Sequence, residues 1–451
     1  MQNVSLLVDL YELTMAEAYF RYKPRTKATF DLFVRDLPPS RSYLVAAGLQ
    51  DSLDYLMRLR FGPDDIAYLR KMKVFSPEFL RYLASFRFKG DVWALPEGTV
   101  CFAQEPLLRV TGSLIEAQIV ETFLLNTINL QTMIASKASR VICASKGKKV
   151  YDFSLRRTHG SEAGIKVARS SYLAGFDGTA NVLAGKLYRI PVVGTMAHSF
   201  VMSFKHELES FNAYAQTFPA QTILLVDTYD TKKGIENAVK IGLALKKKGY
   251  RLQGIRLDSG NIAYLSKLAR HMLDKAGLSD ARIIASGNLD EFRIKDLLAR
   301  DACVDSFGVG TNMGTSIDAP ALDVIYKISE VTDEKGDFLP TMKLSSAKVT
   351  YPGRKQVFRI SDKKGRYLRD VIALEDERIA GKPLLQQVVS RGRLVYRFPS
   401  LKKIREYASS DLAGFDEGLR QVYSAYRYPV VIGERLKALR DSLSSALAHR
   451  Q

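Results

Sequence analysis

The chain has 451 residues, 46% of them hydrophobic and 25% charged, enough for a substantial core in two or three domains or in one barrel with additions. Its formal net charge of +19 suits nucleic acid or, equally, an enzyme of polyphosphate anions, and much of the excess lies in short runs such as Lys246-Lys247-Lys248 that read as solvated faces. No apolar run of about 18 residues, no basic start to a signal peptide and only three scattered cysteines argue against a membrane span, secretion, a disulfide framework or a zinc cage, so a cytoplasmic address is expected.

In chain order, residues 30–34, 99–102 and 106–111 read as strands and 114–145 as a long helical pattern. From about 148 to 330, short apolar runs alternate with helical stretches. The expected strands are 150–154, 191–194, 222–227, 252–257, 282–285, 304–309 and 322–328, and the clearest helices are 233–248, 262–276 and 289–299. The β-branched, continuous apolar runs suit strands buried on both faces of a parallel sheet. From about 343 the pattern returns to short strands such as 357–360 and ends in a helix from about Gly433.

Chemically useful residues fall just after successive strands: Arg156 and Arg157, Thr195 and His198, Asp227, Asp258, Ser286 and Asn288, then Gly308 and Gly310. A β/α barrel gathers functional groups in this way at the C-terminal ends of its strands, whereas an open doubly wound sheet concentrates them at a switch point. The expected fold is therefore α/β, an irregular β/α barrel with a second, mixed α+β domain. The N-terminal segment 1–147 and the C-terminal segment 343–451 form the mixed domain, and 148–342 forms the barrel that carries the active site.

Val304–Asn312 runs from a strand into a glycine-rich loop whose N–H groups can approach a phosphate, and Ala285-Ser286-Gly287-Asn288 is a second such loop on the preceding strand. Neither is a dinucleotide fingerprint, and no Walker A loop is present. Arg256-Leu257-Asp258-Ser259-Gly260 puts a guanidinium and a carboxylate two apart at a strand end, on one face. Arginine matches a planar carboxylate, and aspartate suits ribose hydroxyls or magnesium; the competing reading is an internal salt bridge. His198, after a glycine turn, is either a satisfied core histidine or an acid, base or nucleophile. The other histidines have no metal-ligand spacing.

Val8-Asp9-Leu10-Tyr11-Glu12-Leu13-Thr14-Met15, Asp152-Phe153-Ser154-Leu155-Arg156-Arg157, Asn181-Val182-Leu183-Ala184-Gly185, the 194–200 and 256–260 segments, Asp227-Thr228-Tyr229 and the 307–311 loop together resemble the type II nicotinate phosphoribosyltransferases, in family order. The resemblance implies joining of nicotinate to phosphoribosyl pyrophosphate, giving nicotinate mononucleotide and pyrophosphate in NAD salvage, with Mg2+ as cofactor and ATP as co-substrate. It implies that His198 is phosphorylated by ATP and that Arg256 holds the nicotinate carboxylate beside Thr195. Phe153 would form one face of a ring sandwich. Tyr11 would form the other, from the partner subunit of a homodimer with shared active sites. Arg156, Asp227 and Asp258 would meet the ribose, pyrophosphate and magnesium. Ser286, Gly287, Gly310 and Thr311 would cup the ribose 5-phosphate, and Thr350 would touch the same substrate.

The alternatives are a nicotinamide-using relative, a quinolinate phosphoribosyltransferase and a basic nucleic-acid-binding protein on a barrel scaffold. The nicotinamide relative typically carries an acid after its Gly-Thr pair, where this chain has Gly178-Thr179-Ala180. A carboxylate there would accept the amide of nicotinamide and repel nicotinate.

Overall fold

A computed structural model describes residues 4–344, 350–423 and 426–448. The chain divides into two compact units: residues 1–136, 321–419 and 424–451 form one, and 137–320 with 420–423 form the other. The protein is a mixed α/β molecule; among the described residues the second unit holds one sheet and the first unit three.

In the second unit six strands run parallel: Gly178–Thr179, Lys149–Asp152, Ser306–Val309, Arg282–Ala285, Gly254–Leu257 and Ile223–Leu225, in that spatial order. An isolated parallel bridge between Thr179 and Val192 adds a seventh segment beyond Gly178. Followed around, the order is the sequence order 149, 178, 192, 223, 254, 282, 306 and back to 149. That cyclic succession of parallel strands is the order of a β/α barrel. Among the described residues no ladder joins Val192 to Ile223–Leu225, so the ring has one open seam.

The intervening helices start where side chains supply the missing hydrogen-bond acceptors at their N-termini. Asn181, Asp230, Asn261 and Asp290 cap the helices Val182–Tyr188, Thr231–Lys247, Ile262–Lys275 and Glu291–Ala299. Each such cap contributes about 1 kcal/mol to its helix. The strand Ser306–Val309 is buried at every position, as a continuous apolar run in a parallel sheet requires. Gly234 lets its helix lie against the end of a strand: a Cβ there would come within 2.0 Å of the Val226 carbonyl oxygen.

The first unit is built from both ends of the chain. Its larger sheet orders Phe338–Pro340, Val324–Thr332, Lys27–Val34, Pro106–Ser113, Asp91–Ala94, Gln386–Ser390 and Arg393–Leu394, all antiparallel. A smaller sheet joins Lys382–Pro383, Lys355–Ser361, Tyr367–Leu374 and Val430–Ile432. Arg359, almost fully buried, binds Asp370 at 2.7 Å and Asp411 at 3.1 Å, tying the smaller sheet to the helix Leu401–Ala413.

One expectation needs correction. The segment 322–328 was expected as a barrel strand, but Val324–Thr332 pairs antiparallel with Lys27–Val34 in the first unit. The physical reason is side-chain fit: Lys27–Val34 is buried at seven of eight positions, and its Phe30 ring stacks on Tyr326 at 4.8 Å.

Candidate active site

Except for Arg256, which lies within the strand Gly254–Leu257, the expected site residues of the second unit lie beyond the C-terminal ends of parallel segments. Phe153 and Arg156 follow Lys149–Asp152, Asp227 and Thr228 follow Ile223–Leu225, and Asp258 follows Gly254–Leu257. Ser286 and Gly287 follow Arg282–Ala285, and Gly310 and Thr311 follow Ser306–Val309. Thr195 and His198 come after the bridge at Val192, with His198 opening the short helix His198–Met202.

Arg256 organises the centre. Its Nε donates to Ser286 Oγ at 2.7 Å, one Nη to Asp258 Oδ1 at 2.6 Å and the other to Thr195 Oγ1 at 3.3 Å. Its guanidinium carbon lies 5.4 Å from the centre of the Phe153 ring. Gly308 makes room for that ring, since a Cβ there would come within 2.5 Å of Phe153 Cε2. A rigid fork held over an aromatic face, next to a hydroxyl, suits a flat ring that carries a carboxylate.

Two aspartates form the acidic side. Asp227 Oδ2 accepts the Asp258 N–H at 2.9 Å and the Ser259 hydroxyl at 2.6 Å. Asp227 Oδ1 is buried without a partner, the kind of orphaned oxygen that a cation satisfies. Ser286 donates its hydroxyl to Asp258 Oδ1. Burial pushes the Asp258 carboxyl up, but the Ser286 hydroxyl and the Arg256 guanidinium outweigh it and hold it below the usual carboxylate range.

His198 is part-exposed: Nδ1 lies 3.1 Å from Thr228 Oγ1, and Nε2 lies 4.0 Å from Asp258 Oδ2. Arg156 is exposed in the turn Leu155–Arg157. Gly287 adopts φ +88°, and a Cβ there would sit 1.9 Å from the Asp258 carbonyl oxygen, so only glycine fits. Ser286, expected to cup a phosphate, has its hydroxyl engaged by Arg256 and Asp258 and its N–H by the Leu257 carbonyl.

Tyr11 and Thr350 belong to the first unit. Tyr11 is exposed on the helix Leu10–Tyr22. Burial, with Glu121 close by, pushes its hydroxyl pKa up. Thr350 is buried and lines a cavity of about 320 Å³ with Arg35, Asp323, Ile325, Lys327 and Lys343. Sequence reading missed Arg35, Lys327 and Lys343. Among the strand residues that pair Arg35's neighbour Val34 with Val324, period-two spacing does place Ile325 and Lys327 on one face.

Several motif residues prove to be scaffold. Asp152, pushed up by burial, accepts from Ser154 N–H, Ser154 Oγ and Thr179 Oγ1 and so fixes the loop that carries Phe153. Asn181 is a helix cap, and Gly185 leaves space for Val192, whose Cγ2 would lie 2.2 Å from a Cβ.

Comparison with known proteins agrees along the whole chain. Residues 6–129 match the nicotinate phosphoribosyltransferase N-terminal domain, 148–357 the family's central model and 378–440 its C-terminal domain. A nicotinate phosphoribosyltransferase of Mycobacterium tuberculosis is 46% identical over 434 residues, covering 96% of this chain and 92% of the relative. One of Bacillus subtilis is 38% identical, covering 96% and 93%. The crystal structure of the human nicotinic acid phosphoribosyltransferase superposes with a TM-score of 0.86 at 30% identity, covering 96% of this chain and 99% of that one. Three domain models in order and relatives matched over nearly their full length leave one conclusion: the chain belongs to the nicotinate phosphoribosyltransferase family.

Proposed function

We infer that this chain is an enzyme of NAD biosynthesis that joins nicotinate to phosphoribosyl pyrophosphate, yielding nicotinate mononucleotide and pyrophosphate. The observation that carries the reading is Arg256, whose fork is held over Phe153 by Ser286, Thr195 and Asp258. Its outer N–H groups would take the nicotinate carboxylate while the pyridine ring lies along Phe153. The exposed Ala180, after Gly178-Thr179, supplies no carboxylate to favour nicotinamide.

The reaction forms a bond from the pyridine nitrogen to ribose C1 as pyrophosphate leaves. The transition state is oxocarbenium-like, so catalysis rests on positioning and on negative charge near the sugar. Asp258, held ionised, would face the ribose, with Arg156 toward the pyrophosphate. Gly287, Gly310 and Thr311 would offer backbone donors to the 5-phosphate, while Ser286 would act there by holding Arg256 and Asp258 in place. Asp227, through its unpartnered Oδ1, and Asp258 fit Mg2+, which when bound would neutralise charge on the leaving pyrophosphate. The basic cavity beside Thr350 would suit a phosphate group such as those of phosphoribosyl pyrophosphate.

ATP would phosphorylate His198, whose part-exposed ring is open to a triphosphate. The exposed Tyr11 would complete the partner's ring sandwich in a homodimer. A cytoplasmic setting is our reading of only three scattered cysteines; among the described residues no helix is long and apolar enough to cross a membrane.

The test is a panel of nicotinate, nicotinamide and quinolinate with phosphoribosyl pyrophosphate and magnesium, with and without ATP. Pyrophosphate release with nicotinate, stimulated by ATP, is expected; none with nicotinate would defeat the reading. His198→Ala should lose the ATP effect and keep slow transfer.

A further inference from the structure

The open seam of the strand ring lies between Val192 and Ile223–Leu225, and the residues that follow its two flanks are His198 and Thr228. Their contact, His198 Nδ1 to Thr228 Oγ1 at 3.1 Å, is a side-chain bond across a gap that, among the described residues, no backbone ladder closes. The other ring nitrogen, Nε2, is 4.0 Å from Asp258 Oδ2, too far for a hydrogen bond. One nitrogen is therefore held and the other left open on a part-exposed ring.

We propose that Thr228 is a positioning residue that holds Nδ1 of His198 and so directs the phosphoryl group of a nucleoside triphosphate to Nε2. The inference rests on the reading that His198 is phosphorylated. A hydroxyl can both accept and donate, so Thr228 keeps the ring in place whether Nδ1 carries a proton or a lone pair; a carboxylate could only accept. With Thr228 accepting from Nδ1–H, the lone pair is on Nε2. Nε2 then gives its electron pair to the γ-phosphorus, and the bond from that phosphorus to the β,γ-bridging oxygen breaks. The nucleoside diphosphate leaves with that pair. The ring proton stays on Nδ1, so the step needs no further acid or base.

The test uses the full chain with ATP and magnesium, followed by alkaline proteolysis and separation of the two phosphohistidine isomers. It is paired with 15N spectra of the His198 ring in protein without nucleotide. The parent and Thr228→Ser should carry the Nε2 isomer and the Nδ1–H tautomer. Thr228→Val, similar in shape but without the hydroxyl, should label about tenfold more slowly, the loss of one hydrogen bond's orientation, and show altered ring shifts. Thr228→Ala serves if the valine variant fails to fold. The Nδ1 isomer in the parent overturns the proposal, as do equal labelling and unchanged ring shifts in the valine or alanine variant. Failure of the phosphorylation reading registers separately, as no His198-dependent label in the parent; the ring shifts alone then decide whether Thr228 orients His198.

Discussion

Asp227 accepts the backbone N–H of Asp258 through one carboxylate oxygen at 2.9 Å and leaves the other buried and unpartnered. The bond locks together the loops after two neighbouring strands, so the two carboxylates keep a fixed relation before any ligand arrives. An unsatisfied buried oxygen costs free energy, about 1–3 kcal/mol for a neutral group and more for a charged one. A bound cation would recover it.

Asp227→Asn should keep the fold, because an amide oxygen can still accept from Asp258 N–H and Ser259 Oγ. The charge that would face a cation is lost. The expected result is a kcat lower by roughly 10²-fold, with more magnesium needed for half-activation. Titration of pyrophosphate release against magnesium checks this; an unchanged half-activation point would remove Asp227 from the metal site.

Arg256→Lys keeps the charge but loses the planar fork that reaches Ser286, Asp258 and Thr195 together. A hydrogen bond to a charged group contributes about 1.5–3 kcal/mol, so kcat/KM for nicotinate should fall roughly 10- to 100-fold. Activity with nicotinamide, which has no carboxylate to lose, should fall less. Equal losses for both substrates would mean that Arg256 serves only the scaffold.

Much of this site was legible in the sequence, for a physical reason. In a parallel barrel the strand ends are the places where polar side chains can gather, so the placement of Asp227, Asp258 and His198 after strands was legible, whereas the role of His198 came only from the family resemblance. What escaped was long-range pairing. The apolar run at 322–328 carries nothing that says which sheet it joins; Phe30, some 300 residues away, decides it by stacking on Tyr326. The strand Gly178–Thr179 is two residues long and invisible to periodicity. Asp152, Asn181 and Gly185 sit in motifs as prominent as those of the site, yet the first two spend their side chains on loop bracing and capping and the third leaves room for Val192, which only coordinates separate from chemistry. Ser286 was read as a phosphate contact because it follows a strand, and its bond to Arg256 could not be seen from spacing.

Ser286→Ala should shift the acid limb of the pH–rate profile. Asp258 is depressed in the folded protein despite its burial, through the Ser286 hydroxyl and the Arg256 guanidinium. Such a group contributes stability above its unfolded pKa and loses it as pH falls through the folded value. Removing the hydroxyl leaves the burial and weakens the compensation, so the Asp258 pKa rises and activity is lost at a higher pH than in the parent. Rates from about pH 3 to about 7, a range that reaches below the ordinary carboxylate value, locate that limb. A limb that stays in place would show that Asp258 does not need to be ionised.

Glu12 gives the opposite sign in the first unit. It is fully buried, receives the Thr122 N–H at 3.0 Å and the Thr122 hydroxyl on one oxygen, and has its other oxygen unpartnered. Burial, with Glu121 and Asp9 nearby, pushes its carboxyl from 4.5 up to about 8. The folded chain therefore binds a proton that the unfolded chain releases, and stability falls as pH rises through that window and stays lower above it. Glu12→Gln can still accept from Thr122 and carries no charge to bury. Its melting temperature relative to the parent should rise by several degrees as the pH moves from about 5 to about 9, on either side of that window. Scanning calorimetry at the two pH values reads the difference directly, and parallel melting curves at both would show that Glu12 is ionised in the folded protein without penalty.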